Sequence, residues 1–275
     1  MKKFIYERFF THELCVCAHL TQTRYAQKTC AEMRNIMRIL GIDSSGIVAS
    51  AAIVDEANVI SEFTVNNKQT HSQTLLPMID MVVKMSGLQL EDIDAIAVAA
   101  GPGSFTGLRI GSSTAKGLAL ALKKEIVPVP TLDGLAYRMA VSDKIICPIM
   151  DARRNQVYTA VYKMESGKLK CLSEQKAVDI HELLKELEEL KEKVIFLGDG
   201  VEVYKDIISK DYNGEYEFAP VHMNKQSAAA VAALGLIYYN QGKAEPAAEH
   251  KPVYLRKSQA EREREAKLKE QKEQQ

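Results

Sequence analysis

Several features that mark other protein classes are missing from this sequence of 275 residues, and the first is an excess of charge of one sign. Its 36 lysines and arginines balance 36 aspartates and glutamates, so the formal net charge is zero. Proteins that hold nucleic acid on their own surface usually carry a basic excess or a clustered basic face. The balance therefore argues against a primary RNA-binding protein, and any contact with RNA is expected to be indirect.

Paired cysteines and long apolar runs are missing as well. The five cysteines are an odd number, and none of them forms a Cys-x-x-Cys pair. No apolar stretch reaches the roughly 18 residues that span a membrane. The apolar start of the chain is interrupted by Glu7 and Arg8 before it attains the length of a signal-peptide core. The sequence thus predicts a reduced, soluble, cytoplasmic protein with no membrane partner.

Strand and helix patterns begin abruptly at Met37. Residues 1–36 show no clean period, and we interpret them as an extension outside the core, with a helical arm packed on the domain as the alternative. Between 37 and 143, three closely spaced strands are followed by a helix from about Ser72, a buried strand, and a further helix, strand and helix. This order predicts a mixed sheet with helices on its faces.

A similar order of elements occupies residues 144–256. Three predicted strands, at 145–151, 156–163 and 168–178, precede a helix capped by Asp179, a strand at 194–197 and a final helix from Ser227. Each half opens with a strand that ends in an aspartate, Asp43 or Asp151. The chain is therefore predicted to be an α/β protein of two homologous βββαβα lobes, the second truncated, that share a cleft. Residues 257–275 are almost wholly polar and predict a charged helical or disordered tail.

The first segment that could meet a phosphate is Asp43-Ser44-Ser45, at the end of the opening strand. It would present a carboxylate and exposed backbone N–H groups at the edge of the cleft. The alternative is an aspartate that only caps its own turn.

The second segment runs from position 101 to 111 and joins a buried strand to the N-terminus of a helix. Its N–H groups and the positive end of the helix dipole would suit an anion. The glycine spacing fits neither Walker A nor the dinucleotide-binding fingerprint. The alternative is a tight turn that permits close helix packing, and the residues alone leave both open. The predicted binding residues in this segment are Gly101, Gly103, Ser104, Thr106 and Gly107.

No catalytic or metal-binding set accompanies these segments in the sequence. His71 stands alone, and the other five histidines are not paired at ligand spacing, whereas a metal site needs three or four ligands. Nucleophile-elbow and zinc-protease motifs are missing too. The sequence predicts no catalytic residue, no metal and no required cofactor, and it leaves ATP or ADP open as a ligand.

Four segments together resemble the TsaB (YeaZ) family of bacterial tRNA threonylcarbamoyladenosine biosynthesis. The resemblance covers residues 37–256 and implies an actin-like fold of the sugar-kinase and Hsp70 type, in agreement with the duplicated lobes. The segments are Arg38-Ile-Leu-Gly-Ile-Asp-Ser-Ser, His71-Ser-Gln-Thr-Leu-Leu-Pro77, the Gly-Pro-Gly-Ser-Phe-Thr-Gly-Leu-Arg loop at 101–109, and Pro252-Val-Tyr-Leu-Arg256.

The resemblance implies a non-catalytic scaffold that works with a TsaD-type transferase and a TsaE-type ATPase on the adenosine next to the anticodon. It implies a heterodimer with the TsaD-type protein, a homodimer as an alternative for the free chain, and only indirect contact with tRNA. The competing hypothesis is an ATP-using enzyme of the same fold that acts on its own.

The helix from about Ser72 has an apolar stripe that could be core or, because methionines adapt to many surfaces, a partner interface. The resemblance favours the interface. The predicted interface residues are His71, Leu75, Met78, Ile79, Val82 and Met85.

Overall fold

The computed structural model of the chain describes residues 36–67 and 69–256. The predicted extension at 1–36, apart from Ile36, and the predicted tail at 257–275 lie outside the described residues. The fold therefore concerns the two predicted lobes, whose boundaries at 143 and 256 stay predictions.

The first sheet forms around a fully buried strand, β1 (Ile39–Asp43). Short turns join it to β2 (Ala49–Val54) and β3 (Val59–Val65), and both pairings are antiparallel. Helix α1 (His71–Ser86) then leads to β4 (Ala95–Gly101), which lies parallel to β1 on its other side. Helix α2 (Phe105–Leu122) leads to β5 (Glu125–Pro130), and α3 (Thr131–Tyr137) follows. The strand order β3-β2-β1-β4-β5 confirms the predicted order of elements in this half.

The second sheet starts from β6 (Ile145–Asp151) and corrects two predicted strands. The strand predicted at 156–163 is two strands, β7 (Gln156–Thr159) and β8 (Tyr162–Glu165), because β7 pairs with β6 and β10 whereas β8 pairs mainly with β9. The strand predicted at 168–178 likewise divides into β9 (Lys168–Cys171) and β10 (Lys176–Asp179). Each predicted strand is divided because its two halves find different partners.

The rest of the second half contains two elements that the sequence patterns did not reveal. Helix α4 (Ile180–Leu190) is capped by Asp179 as predicted, and β11 (Val194–Leu197) lies parallel to β6. Helix α5 (Gly200–Asp211) and the short parallel strand β12 (Tyr216–Phe218) were missed. Helix α6 (Ala228–Asn240), predicted in the second lobe, packs on β1, β2, β4 and β5 of the first sheet instead.

The two sheets share one plan. In each, the opening strand is central, with antiparallel partners on one side and two parallel strands on the other, giving β3-β2-β1-β4-β5 and β10-β7-β6-β11-β12. This repeat confirms the predicted fold class, a duplicated, actin-like α/β architecture.

Three buried clusters hold these layers together. The first packs α1 and α2 on the first sheet, the second packs α4 and α5 on the second sheet, and the third packs α3 between β6, β8 and β11. No helix of the described residues is both long enough and apolar enough to cross a membrane.

Candidate functional site

The turn after β1 is stabilised by Asp43, whose side chain is buried. Its Oδ1 accepts hydrogen bonds from the backbone N–H of Ser45, at 2.9 Å, and from the Ser45 hydroxyl, at 2.6 Å. Burial raises the pKa of Asp43. The two hydrogen bonds and the positive charges of His71 and Arg138 act against this increase. Asp43 thus caps its own turn, which is the alternative that the sequence left open.

The glycine-rich loop lies directly on that turn. A Cβ atom on Gly103 would collide with the carbonyl oxygen of Ser45, and one on Gly107 would collide with that of Ser44. A Cβ on Gly101 would collide with the carbonyl oxygen of Val253. These three positions need glycine because another part of the backbone occupies the space that a side chain would fill.

Several polar groups of the loop are bonded to the chain itself. The N–H of Ser104 donates to the carbonyl oxygen of Ser45 at 2.7 Å, and the N–H of Gly107 donates to Oγ of Ser104 at 3.3 Å. The N–H of Gly101 donates to the hydroxyl of Thr131 at 3.2 Å. The residues at this position therefore form a tightly packed turn, and their predicted role in binding a phosphate stays a prediction.

Of the eight residues predicted to bind a phosphate, the structure brings six together at this contact and places two elsewhere. The exposed Thr106 lines a separate surface groove beside α1. Gly101 packs against Val253 and donates to Thr131 instead. The six are Asp43, Ser44, Ser45, Gly103, Ser104 and Gly107.

A cleft of about 450 Å³ opens between the ends of the two sheets, next to the loop. Its first-sheet wall contains Ser45, Gly103 and Ser104, and its second-sheet wall contains Asp151 and Asp199. Burial raises the pKa of Asp199 to about 6; the negative charge of Asp151 adds to the increase, and nearby backbone N–H groups oppose it. The cleft matches the position that the duplicated lobes predict.

The segment after α6 runs along the mouth of this cleft and joins both sheets. The N–H of Val253 donates to the carbonyl oxygen of Ala100 at 2.7 Å, and Nη1 of Arg256 donates to that of Ala152 at 2.7 Å. The ring of Tyr254 lies 4.5 Å from that of Phe105, centroid to centroid. The Pro252–Arg256 motif therefore forms one wall of the cleft.

A buried chain of hydrogen bonds anchors the same segment. Nδ1 of His250 lies 2.7 Å from Oε1 of Glu245, and Nε2 lies 3.0 Å from Oγ of Ser112 on α2. The three residue types are those of a hydrolase triad, but Ser112 and His250 are both buried. A nucleophile needs access to a substrate, so this arrangement is an anchor for the chain.

His71 contacts the turn and not a metal-binding set. Its Nε2 lies 2.9 Å from the carbonyl oxygen of Gly46, which ties the start of α1 to the β1–β2 turn. Within residues 36–67 and 69–256, no three His, Cys, Asp or Glu side chains are grouped as a metal site requires. The geometry gives His71 a structural role at a helix start.

Comparison with known proteins connects this geometry to a family. The family model described as TsaD, tRNA N6-adenosine threonylcarbamoyltransferase, matches residues 58–264. The tRNA threonylcarbamoyladenosine biosynthesis protein TsaB of Bacillus subtilis is 37% identical over 172 residues, 62% of this chain and 75% of that protein. The TsaB protein of Escherichia coli is 31% identical over 228 residues, 82% of this chain and 96% of that protein. The chain belongs to the TsaB family.

A solved structure shares the fold of this TsaB-family chain. YeaZ from Pseudomonas aeruginosa aligns with a TM-score of 0.69 at 24% identity, covering 80% of this chain and 100% of that one. Membership of the TsaB family links the chain to tRNA threonylcarbamoyladenosine biosynthesis, the process for which its relatives are named.

The predicted partner interface of the TsaB-family chain needs a correction. Four of its six residues are buried in the core of the chain's own first lobe, because the apolar stripe of α1 faces the first sheet. They are Leu75, Met78, Ile79 and Val82. The outer side of the helix carries other apolar side chains, with exposed fractions of 56% for Leu76, 47% for Met81 and 75% for Met85. Met85 and the half-buried His71 are the predicted residues that reach the surface.

Sequence reasoning also missed the residue of the cleft that has the most unusual environment. Asp199 lies between Gly198 and Gly200, directly after β11, and two glycines at a strand end predict only a turn there. Its exposure to the cleft depends on α5, which the sequence did not reveal.

Proposed function

We propose that the chain is a non-catalytic scaffold in tRNA threonylcarbamoyladenosine biosynthesis, and that it binds a TsaD-type transferase as a heterodimer. The observation that carries the proposal is the close packing of the glycine-rich loop on Ser44 and Ser45. The glycines allow this close packing, and the N–H groups of Ser104 and Gly107 are already hydrogen-bonded within the chain. This packing favours a subunit that assists the reaction of a partner. It is less expected of an enzyme that hydrolyses a nucleotide itself.

The surface formed by α1 and α2 is the proposed docking site for the transferase. Leu76, Met81 and Met85 expose apolar side chains on α1, and methionine adapts to varied partner surfaces. A groove of about 460 Å³ lies between Ser72, at the start of α1, and α2. Its lining residues are Ser72, Phe105, Thr106, Arg109, Ile110, Ser113 and Thr114.

The composition of this groove suits the packing of a helix from the partner. Its serines and threonines are small and its Ile110 is apolar, so a partner helix can approach closely. We propose that the same surface pairs with a second copy when the transferase is missing. A TsaE-type ATPase completes the proposed assembly, and tRNA contacts the chain only through its partners.

The test is a reconstitution with purified TsaD-type and TsaE-type proteins, in which threonylcarbamoyladenosine formed in tRNA is measured with and without this chain. The variant Met81→Glu/Met85→Glu is expected to abolish heterodimer formation in sedimentation velocity and to lower modification in parallel. The matched control is Val141→Glu/Val221→Glu, which adds the same charge at two side chains that are both 95% exposed.

Two outcomes would overturn the proposal. Unchanged modification without the chain would remove its role as a required partner. ATP hydrolysis by the chain alone, lost in Asp43→Ala, would favour the competing hypothesis of an enzyme that uses ATP itself.

A further inference from the structure

One oxygen of the Asp199 carboxylate, which lines the cleft, lacks a hydrogen-bond partner among the described residues. Asp199 occupies the N-cap position of α5, and backbone N–H groups that include those of Asp151 and Gly200 lie close to its carboxylate. Its Oδ1 is shielded from solvent and has no hydrogen-bond partner among the described residues. A shielded carboxylate oxygen without a donor is unfavourable, so this position suits a donor that comes from a ligand.

The turn that carries Asp199 is held tightly in place. The N–H of Gly198 donates to the carbonyl oxygen of Asn224 at 2.6 Å. A Cβ on Gly198 or on Gly200 would collide with the carbonyl oxygen of Ile149. Because both flanking glycines are pressed against β6, the backbone cannot easily move the carboxylate out of the cleft.

The other charged groups around the cleft already have partners. Oδ1 of Asp151 accepts from the N–H of Arg153 at 2.8 Å and from the hydroxyl of Tyr204 at 3.2 Å. The guanidinium of Arg153 lies 3.5 Å from Oδ2 of Asp151, and Lys225 lies 2.7 Å from Glu202.

Arg256, which also lines the cleft, donates to a backbone carbonyl. The wall formed by the second sheet is therefore acidic at Asp199, while Ser45, Gly46, Gly103 and Ser104 on the opposite wall are neutral.

The rim of the cleft is apolar. Ile47, Val203, Val253 and Tyr254 line it and are 46%, 55%, 54% and 38% exposed, respectively. They come from both sides of the cleft, so a ligand that reaches Asp199 passes between apolar side chains. The carboxylate of Asp199 below these apolar side chains complements a ligand that has a cationic group at the end of an apolar chain.

We propose that this cleft binds a primary ammonium group on an aliphatic stem, with the ammonium hydrogen-bonded to Asp199. An ammonium has three donors and can be satisfied by one carboxylate and neutral acceptors. A metal ion would need more charged ligands than the described residues group together. The inference goes beyond the proposed scaffold role and does not depend on it.

Two sources share this chemistry, a free small amine and a lysine side chain of a polypeptide. The full-length chain, labelled with ¹³C at aspartate Cγ, is titrated with n-butylamine hydrochloride and separately with N-acetyl-lysine-methylamide. The matched controls are n-butanol and N-acetyl-norleucine-methylamide, which keep the stem and lack the charge. Magnesium chloride forms a fifth arm.

The expected result is a saturable shift of the Asp199 resonance with the charged ligands and none with the neutral ones. If the lysine derivative binds at least about tenfold more tightly than butylamine, the natural ligand is a lysine side chain of a polypeptide. If butylamine binds more tightly by that factor, the natural ligand is a free amine. Binding is expected to weaken as the pH falls through about 6, where Asp199 takes up a proton. Asp199→Asn should weaken binding about tenfold or more, while Asp206→Asn on the exposed side of α5 should leave it unchanged.

Three results would overturn the inference. Equal shifts with n-butanol would show that only the apolar stem binds. Saturable binding of Mg²⁺ that displaces the amines would make the site a metal site. Unchanged amine binding in Asp199→Asn would place the ligand elsewhere.

Discussion

Oγ of Ser44 donates a hydrogen bond of 2.8 Å to the carbonyl oxygen of Gly107, although 63 residues separate them in the chain. The bond joins the β1–β2 turn to the first turn of α2. With the contact of Gly107 against the Ser44 carbonyl, it makes the turn and the loop one packed unit. The stability of that unit can be tested position by position.

The first prediction concerns the glycines of α2 and its preceding loop. Gly103→Ala is expected to lower the free energy of unfolding by about 1–3 kcal/mol or more, because the new methyl group would displace the Ser45 backbone. Urea denaturation of the purified chain measures the change.

Gly117→Ala is the matched control, because nothing lies within 4 Å of its added Cβ and alanine favours the helix by roughly 1 kcal/mol. Equal stability of the Gly103→Ala variant and the natural chain would show that the loop is open and could still admit a phosphate.

The second prediction separates the charge of Asp43 from its hydrogen bonds. Burial raises the pKa of Asp43, so the stability that its protonation contributes is complete below the unfolded pKa, near 3.9, and is lost as the pH rises through the higher folded value. Asp43→Asn keeps an acceptor for Ser45 without the charge, so its stability relative to the natural chain should increase with pH. Thermal unfolding between pH 4 and pH 8 measures this.

Asp43→Ala is the control for that experiment, because it leaves the buried N–H and hydroxyl of Ser45 without their acceptor and should be about 1–3 kcal/mol less stable than Asp43→Asn at every pH. If the stability of Asp43→Asn relative to the natural chain fell as the pH rose, then attraction of the charge to His71 and Arg138 would outweigh its burial.

The third prediction uses two neighbours on α1. Leu75 is 1% exposed and Leu76 is 56% exposed. Leu75→Ala should therefore lower the free energy of unfolding by about 2–5 kcal/mol, and Leu76→Ala by no more than about 0.5 kcal/mol. Leu76→Ala should instead weaken association with the proposed transferase partner, measured by calorimetry. The assignment of the two faces would be contradicted if Leu75→Ala weakened the complex with the transferase while the free energy of unfolding of the chain stayed normal.

The fourth prediction concerns Asp133 on α3, whose carboxylate accepts three hydrogen bonds. Oδ1 accepts from the Tyr162 hydroxyl and the Gln175 amide, at 2.7 and 2.8 Å, and Oδ2 accepts from the Tyr238 hydroxyl at 2.7 Å. It therefore joins β8 of the second sheet to α6 on the first. Burial, followed by the Asp133 charge, raises the pKa of both tyrosines.

Asp133→Ala should lower the free energy of unfolding by roughly 3 kcal/mol, since it leaves these donors without their acceptor. Tyr238→Phe removes one bond and should cost about 1 kcal/mol, measured by the same denaturation. A smaller loss for Asp133→Ala than for Tyr238→Phe would contradict the role of the carboxylate as the shared acceptor.

Sequence periodicity located the apolar face of α1 correctly but could not say what covers it. Spacing at three and four residues places Leu75, Ile79 and Val82 on one side of a helix, and this holds for a core face and for a partner interface alike. The decision lies with β2 and β3, against which the helix packs. The same limitation explains the divided strands, since local propensity does not reveal where β7 ends its pairing with β6 and β8 begins to pair with β9.

By itself the sequence determined the fold class, the order of elements in the first half, and the glycine-rich loop that identifies the family. These three features depend on local propensity, on periodicity and on motifs whose residues lie close together in the sequence. The tertiary structure alone decided what the loop does, because Gly103 and Gly107 meet Ser45 and Ser44 across about sixty residues. Glycine spacing alone cannot name that neighbour, because the β1–β2 turn reaches the loop only when β1 and β4 pair in the sheet.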